Sequence, residues 1–221
     1  VASFGSLTHF TPAKAPPGAP ERCTDGCPIA DECPYFAPRI YLFTAAGSAF
    51  QHAVSPEPDP EAILRALATG PYGRCVYHCD NTAVDHQVVL MEFAGQLAVS
   101  LTMQGASHVE GRTVRIDGTR ATLLANESRR ELVIADHLTG TIETMRLAPP
   151  IGGHGGGDVG LIRAFVQAVR GERAGVLTSA HQAVESHLLA FAAEDARVSG
   201  RILDMATYRA QWEHQHVDTR R

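Results

Sequence analysis

The stretch HQVVLMEFAGQLAVSLTMQ, His86 to Gln104, decides the fold. Two runs alternate apolar with polar or small residues, and Ala94-Gly95 interrupts them, which is the pattern of a β-hairpin. In the second run Leu97, Val99, Leu101 and Met103 share one face, while Ser100, Thr102 and Gln104 share the other. The same period continues through RTVRIDG, RATLLANE, RELVIAD and TIETMRL, broken by DGT, SRR and HLTG, and predicts an antiparallel meander of about six strands.

Upstream of the hairpin, VASFGSLTHF reads as a half-buried strand, and TPAKAPPGAP then breaks regular structure. A Cys/Pro-rich excursion at 11–60 follows, with a helix expected from near Pro34 through APRIYLFTAAGSAF. Asp59 before Pro60 predicts a capped helix with Ile63, Leu64 and Leu67 on one face, ended by Gly70-Pro71. Downstream of Pro149-Pro150 the pattern turns helical. Asp158 is the expected cap of a helix carrying Leu161, Ile162, Phe165, Val166 and Val169, closed by Gly171. Ser179 with Gln182 forms a capping box for a helix bearing Val184, Leu188, Phe191 and Ala192, closed by Gly200, and a last helix after Asp204 uses Met205, Tyr208 and Trp212. Strands in one block with helices on either side predict an α+β fold: a single domain over 1–221, with an open, mostly antiparallel sheet of about six or more strands and helices covering one face.

A chain of 221 residues, 44% hydrophobic and 19% charged, carries enough apolar residues for a sizeable core. The net charge of -5 with scattered basic residues gives no footprint for nucleic acid. No apolar run approaches the roughly 18 residues that span a bilayer, and VASFGSLTHF lacks the basic flank and apolar region of a signal peptide. Five cysteines, an odd number beside no export signal, fit a reducing cytoplasm better than a full disulfide framework. The chain opens with a strand already under way, which suggests a piece of a longer protein.

The glycine-rich GGHGGGDVGL, Gly152 to Leu161, invites a phosphate-loop reading that its spacing does not support. Pro149-Pro150 interrupts the approaching strand, Asp158 occupies the sixth position counted from Gly153, and no Gly-Lys-Ser/Thr follows. What remains is a flexible connection into a helix, or a ligand-facing loop in which His154 is a polar contact.

The segments VASFGSLTHF, CPYFAPRIYL, GPYGRCVYHCDNTAVDHQVVLMEF, HVEGRTVRIDGTRATL, GGHGGGDVGLIRAFVQAVRG and SHLLAFAAEDARVSGRILDM together resemble the C-terminal domain of the Gfo/Idh/MocA oxidoreductases. That resemblance covers most of the chain. It implies a sheet domain like the C-terminal domain of dihydrodipicolinate reductase, joined in the parent protein to a Rossmann domain that binds NAD or NADP. It also implies sugar or polyol substrates and a homo-oligomer contact on the sheet, with which the face of Ser100, Thr102 and Gln104 is compatible. The family's glycine fingerprint and its Glu-Lys-Pro segment have no matching position here, so no catalytic or cofactor-binding residue is carried over. The chain by itself is expected to be inactive. The alternative, from another class, is a non-enzymatic ligand-binding or self-association domain.

Hydroxyl-rich substrates need paired donors and acceptors, which Asp, Asn and His supply. Asp80, Asn81, Asp85 and His86, in CDNTAVDHQ before the hairpin, are candidate substrate contacts, as are His108 and His154 in loops. The competing reading is a loop held by Asx turns, with Asp85 paired to His86 or to an arginine, and exposed loop histidines elsewhere. His187, beside Val184 and Phe191, reads as a core histidine. Cys23, Cys27 and Cys33, with Cys75 and Cys79, could bring thiolates to a structural zinc or an iron–sulfur site. Their spacings miss the usual C-x2-C knuckle, so disulfides or unligated thiols stay open.

Overall fold

Each of the six segments of the predicted meander is a strand in the computed structural model, which describes residues 1–44, 48–57, 59–108, 110–149, 153–172 and 179–217. They are β2 (His86–Phe93), β3 (Leu97–Gln104), β4 (Thr113–Asp117), β5 (Ala121–Asn126), β6 (Glu131–Asp136) and β7 (Ile142–Arg146), preceded by β1 (Ala2–Ser6). The helices are α1 (Ala37–Arg39), α2 (Ala49–Val54), α3 (Pro60–Thr69), α4 (Gly157–Val169), α5 (Ala180–Ser199) and α6 (Met205–Val217). The class is α+β. In place of one sheet of six or more strands there are two antiparallel sheets, β1-β2-β3 and β4-β5-β6-β7. The break falls at GASHVEGR, 105–112, which is longer than the two to five residues of a hairpin turn. Gly105 returns its N–H to the Asp85 carbonyl at 2.6 Å and so ends the β2-β3 ladder. By compactness the chain divides into a first unit of Val1–Gly105 with Ala193–Asp204, and a second of Ala106–Ala192 with Met205–Arg221.

In the first unit the register pairs Phe4 with Val88 and Ser6 with His86, and then Leu90 with Ser100 and Val88 with Thr102. The turn of the hairpin is Ala94–Gln96, with Gly95 at φ 78 and Gln96 at φ 64. A Cβ on Gly5 would collide with the His86 carbonyl oxygen, so the close approach of β1 to β2 requires glycine there. The alternation seen in the sequence places Phe4, Val88, Leu90, Ser100 and Thr102 on one exposed face. On the opposite face Ser3 and Val89 are buried.

The small core of this unit is built by α3. Asp59 caps it as predicted, its Oδ1 accepting the Ala62 N–H at 2.9 Å, an interaction worth about 1 kcal/mol. Ile63 and Leu67 are fully buried with Cys23 and Ala37, and Phe36, Tyr41, Leu42 and Val54 pack around them. Leu64, expected on the same face, is 42% exposed; Ala62 takes that place. The helix predicted from Pro34 starts instead at Ala37, passes into a π-turn over Ile40–Thr44 and resumes as α2, while residues 45–47 of that prediction lie outside the described residues.

In the second unit Gly140 at φ 69 completes the β6-β7 turn, where Asp136 Oδ1 accepts the N–H groups of Leu138 and Thr139. The capping box before α5 forms as read: Ser179 N–H donates to Gln182 Oε1 at 2.8 Å, and Gln182 N–H to Ser179 Oγ at 3.2 Å. Gly171 and Gly200 follow α4 and α5 with positive φ. The Asp158 cap is corrected. Gly156, in the left-handed region, is the N-cap of α4, and Asp158 lies inside the first turn, where its carboxylate is bound to His154. None of the α4 residues is buried, so Leu161, Ile162, Phe165 and Val169 remain open. On α6 Tyr208 is buried, and Trp212 stacks on Phe191 at 5.9 Å. His187 is exposed rather than in a core, with its Nδ1 2.6 Å from the Ala183 carbonyl one turn earlier.

Candidate functional site

Asp85 is the node of the first unit. It precedes β2 by one residue, is 8% exposed, and faces the chain as it leaves β1. Its Oδ2 accepts the N–H groups of Thr8 at 2.8 Å, His9 at 2.6 Å and Phe10 at 3.4 Å. Its Oδ1 accepts the Thr8 hydroxyl at 3.3 Å and stands 2.8 Å from His86 Nδ1. The His9 amide above all holds the Asp85 carboxyl well below the usual carboxylate range; burial opposes it, and His86, Thr8 and Phe10 reinforce it. A carboxylate so surrounded is an anchor for the loop and for the ring, with little acceptor capacity left for a ligand.

The ring it orients is better placed for recognition. With Nδ1 facing Asp85, a neutral His86 donates there and keeps Nε2 as an acceptor, 3.5 Å from Ser6 Oγ. His86 is partly exposed, so a hydroxyl-bearing molecule can reach its edge. His9, whose amide binds the same Asp85 carboxylate, has its Nε2 3.3 Å from Tyr77 Oη. The His9 ring packs edge-on against Phe10 and Tyr77 and is tilted against Tyr35, with centroids 5.0, 5.4 and 5.8 Å away. Burial pushes the Tyr77 phenol up, and Cys33, Tyr35 and Cys75 add to it.

Tyr35 and Tyr77 also form one wall of a small apolar cavity that Cys23, Cys27, Cys33 and Cys75 line. Burial raises the Cys23 thiol above its ordinary value; the Ala37 backbone opposes this, and Cys75, Cys33 and Cys27 raise it further. All five cysteines are free thiols. Among the described residues no three His, Cys, Asp or Glu side chains already stand as a coordinating group.

No family model, curated protein or solved structure matches this chain. The site is therefore read from its own residues. Of the six predicted substrate contacts the fold brings Asp85 and His86 together. Asp80 and Asn81 lie on the exposed turn just upstream, each already engaged. Arg74 Nη1 donates to Asp80 at 2.8 Å and lowers its carboxyl, and Asn81 closes an Asx turn on Ala83. His108 and His154 belong to the second unit and are exposed. The Asp158 carboxylate sits 2.9 Å from His154 Nδ1 and raises that imidazole.

Sequence reading missed His9, Ser6, Tyr35 and Tyr77. A signal was present, since Cys33-Pro-Tyr35 and Cys75-Val-Tyr77 repeat the spacing Cys-x-Tyr, and both tyrosines meet at His9. It also missed a shallow concavity of about 340 Å³ on the four-stranded sheet, lined by Thr113, Arg115, Asn126, Arg129 and Glu131 among others. No helix among the described residues is long and apolar enough to cross a membrane.

Proposed function

We propose that the chain is the substrate-binding and self-association part of an NAD(P)-dependent oxidoreductase acting on a sugar or polyol, with the nicotinamide cofactor held by a separate dinucleotide-binding domain. The observation that carries this reading is the end of the β1-β2 pair, where Asp85 fixes His86 with Nε2 3.5 Å from Ser6 Oγ and also binds the amide of His9, whose ring meets Tyr77. Hydroxyl groups are recognised by such adjacent donors and acceptors on a rigid frame. Hydride transfer to or from a carbinol carbon is the cofactor's chemistry. This chain would supply the wall that orients the substrate, and alone it turns over no polyol.

Self-association belongs to the other exposed feature, the sheet face of Phe4, Val88, Leu90, Ser100 and Thr102. Phe4 is 68% and Leu90 47% exposed, and Glu92 is the only acidic residue on that side of β2. Two copies related by a two-fold axis can therefore meet there with little like-charge repulsion. The same face supports the second reading, a self-association domain with no enzymatic role. Light scattering on the purified chain tests the shared part: a dimer or larger is expected, and Leu90→Glu should weaken it at least about tenfold. Titration with a panel of polyols separates the two readings, since only the first expects saturable binding near His86.

A further inference from the structure

Two stretches of almost no regular structure carry four thiols to one cavity. Cys23 and Cys75 flank an isolated antiparallel bridge between Arg22 and Arg74, in which Cys23 N–H donates to the Gly73 carbonyl at 2.9 Å and Cys75 N–H to the Glu21 carbonyl at 2.8 Å. Alternation along the bridge puts both cysteines on the side opposite the two arginines, as diagonal neighbours. Cys27 and Cys33 are brought round by consecutive turns. Ala30 N–H donates to the Cys27 carbonyl and Cys33 N–H to the Ile29 carbonyl, and the Arg39 guanidinium clamps the Cys33 and Ala30 carbonyls at 2.9 and 2.5 Å. Cys79 stands apart. Its Sγ donates to the Cys75 carbonyl at 3.3 Å, and it does not line the cavity.

We propose that Cys23, Cys27, Cys33 and Cys75 bind one zinc ion as a tetrathiolate, with Cys79 taking no part. The cavity is small and four of the five cysteines line it, a donor set that suits one tetrahedral ion. Its other walls are mostly apolar, with Ile29, Phe36, Tyr35 and Tyr77 among them, so a water there would find few partners while the four thiols are soft donors for a cation. Closing each sulfur to the usual Zn–S distance of about 2.3 Å requires the thiols to rotate inward, since no three of them form a coordinating group as they stand. Four S–H bonds break and four Zn–S bonds form, the four protons pass to solvent, and nothing is oxidised or reduced. The ion would then tie the loop of Cys23 to Cys33 to the segment after α3. This inference does not depend on the oxidoreductase reading.

The test uses the whole chain, purified under reducing conditions and titrated with zinc. Elemental analysis should give about one equivalent of zinc, and thiol-reagent titration of the native protein should fall, as zinc is added, to the single Cys79 thiol. Cobalt in place of zinc should show the intense visible bands of tetrahedral thiolate coordination. Cys33→Ser should lower zinc affinity by about 100-fold or more, and Cys79→Ser should leave it unchanged. Less than about 0.2 equivalents of zinc with thiol reactivity unchanged by its addition, equal losses in C33S and C79S, or several irons with labile sulfide in place of one ion would each overturn the proposal. Should C33S fail to fold, thiol protection and the cobalt spectrum of the unmutated chain still decide.

Discussion

Asp85 Oδ1 lies 2.8 Å from His86 Nδ1, while Oδ2 of the same carboxylate gathers the amides of Thr8, His9 and Phe10 from the loop after β1, 75 to 77 residues earlier. One buried side chain thus fixes both the exit of β1 and the orientation of the ring at the start of β2. Asp85→Ala would leave those amides without an acceptor. The melting temperature should fall by about 5 °C or more, as read by calorimetry. His86→Ala should cost less, because the three amides keep their carboxylate.

The depressed carboxyl of Asp85 also sets a pH dependence. A carboxylate lowered in the folded state contributes stability that is fully present above the unfolded value of about 3.9 and is lost as pH falls through the folded value. Asp80, Asp117, Asp136, Glu185 and Glu194 are lowered too and act in the same direction. Urea midpoints should therefore fall steeply between about pH 5 and pH 2, and Asp85→Asn should flatten that fall. His154 has the opposite sign, its contribution present below about 6.5 and lost as pH rises through its raised value. Exposed as it is, His154→Ala should leave the midpoint at pH 8 unchanged.

The core around α3 makes a quantitative contrast. Leu67 is fully buried and Leu64 is 42% exposed on the same helix. Leu67→Ala should cost about 2–5 kcal/mol in chemical denaturation, and Leu64→Ala less than about 1 kcal/mol.

Gly73 is a second sensitive point. A Cβ there would overlap the carbonyl of Leu67, and the Gly73 carbonyl holds the Cys23 amide. Arg22 reinforces the junction by donating Nη2 to the Leu67 carbonyl at 2.9 Å and to that of Gly70. Gly73→Ala should destabilise the chain by about 3 kcal/mol or more, and it should impair zinc binding by displacing the bridge beside Cys23 and Cys75.

Much of this was legible in the sequence. The period-two runs from His86 to Arg146 located six strands because strand alternation is a local property that survives any packing. The Asp59 cap and the Ser179-Gln182 box were legible because their partners lie three residues away. Sheet pairing was not, since the residues at 105–112 connect strands without declaring whether the ladder continues. Nor was the company of His86. The register of β1 on β2 brings Ser6 to it, and His9, whose ring meets Tyr77, is held through its amide by the adjoining Asp85 carboxylate. The Asp158 misreading has a local cause, because the left-handed Gly156 starts α4 two residues earlier and moves the carboxylate into the first turn, where it still suits the helix dipole.

The most direct measurement is a histidine-resolved NMR titration of the chain with a panel of sugars and polyols. The account predicts that at least one of them shifts the ring signals of His86 and His9 saturably, with a dissociation constant in the millimolar range or tighter, while His137 and His187 stay still. Ring signals of His86 that remain unmoved by every member of the panel at concentrations well above millimolar would contradict it.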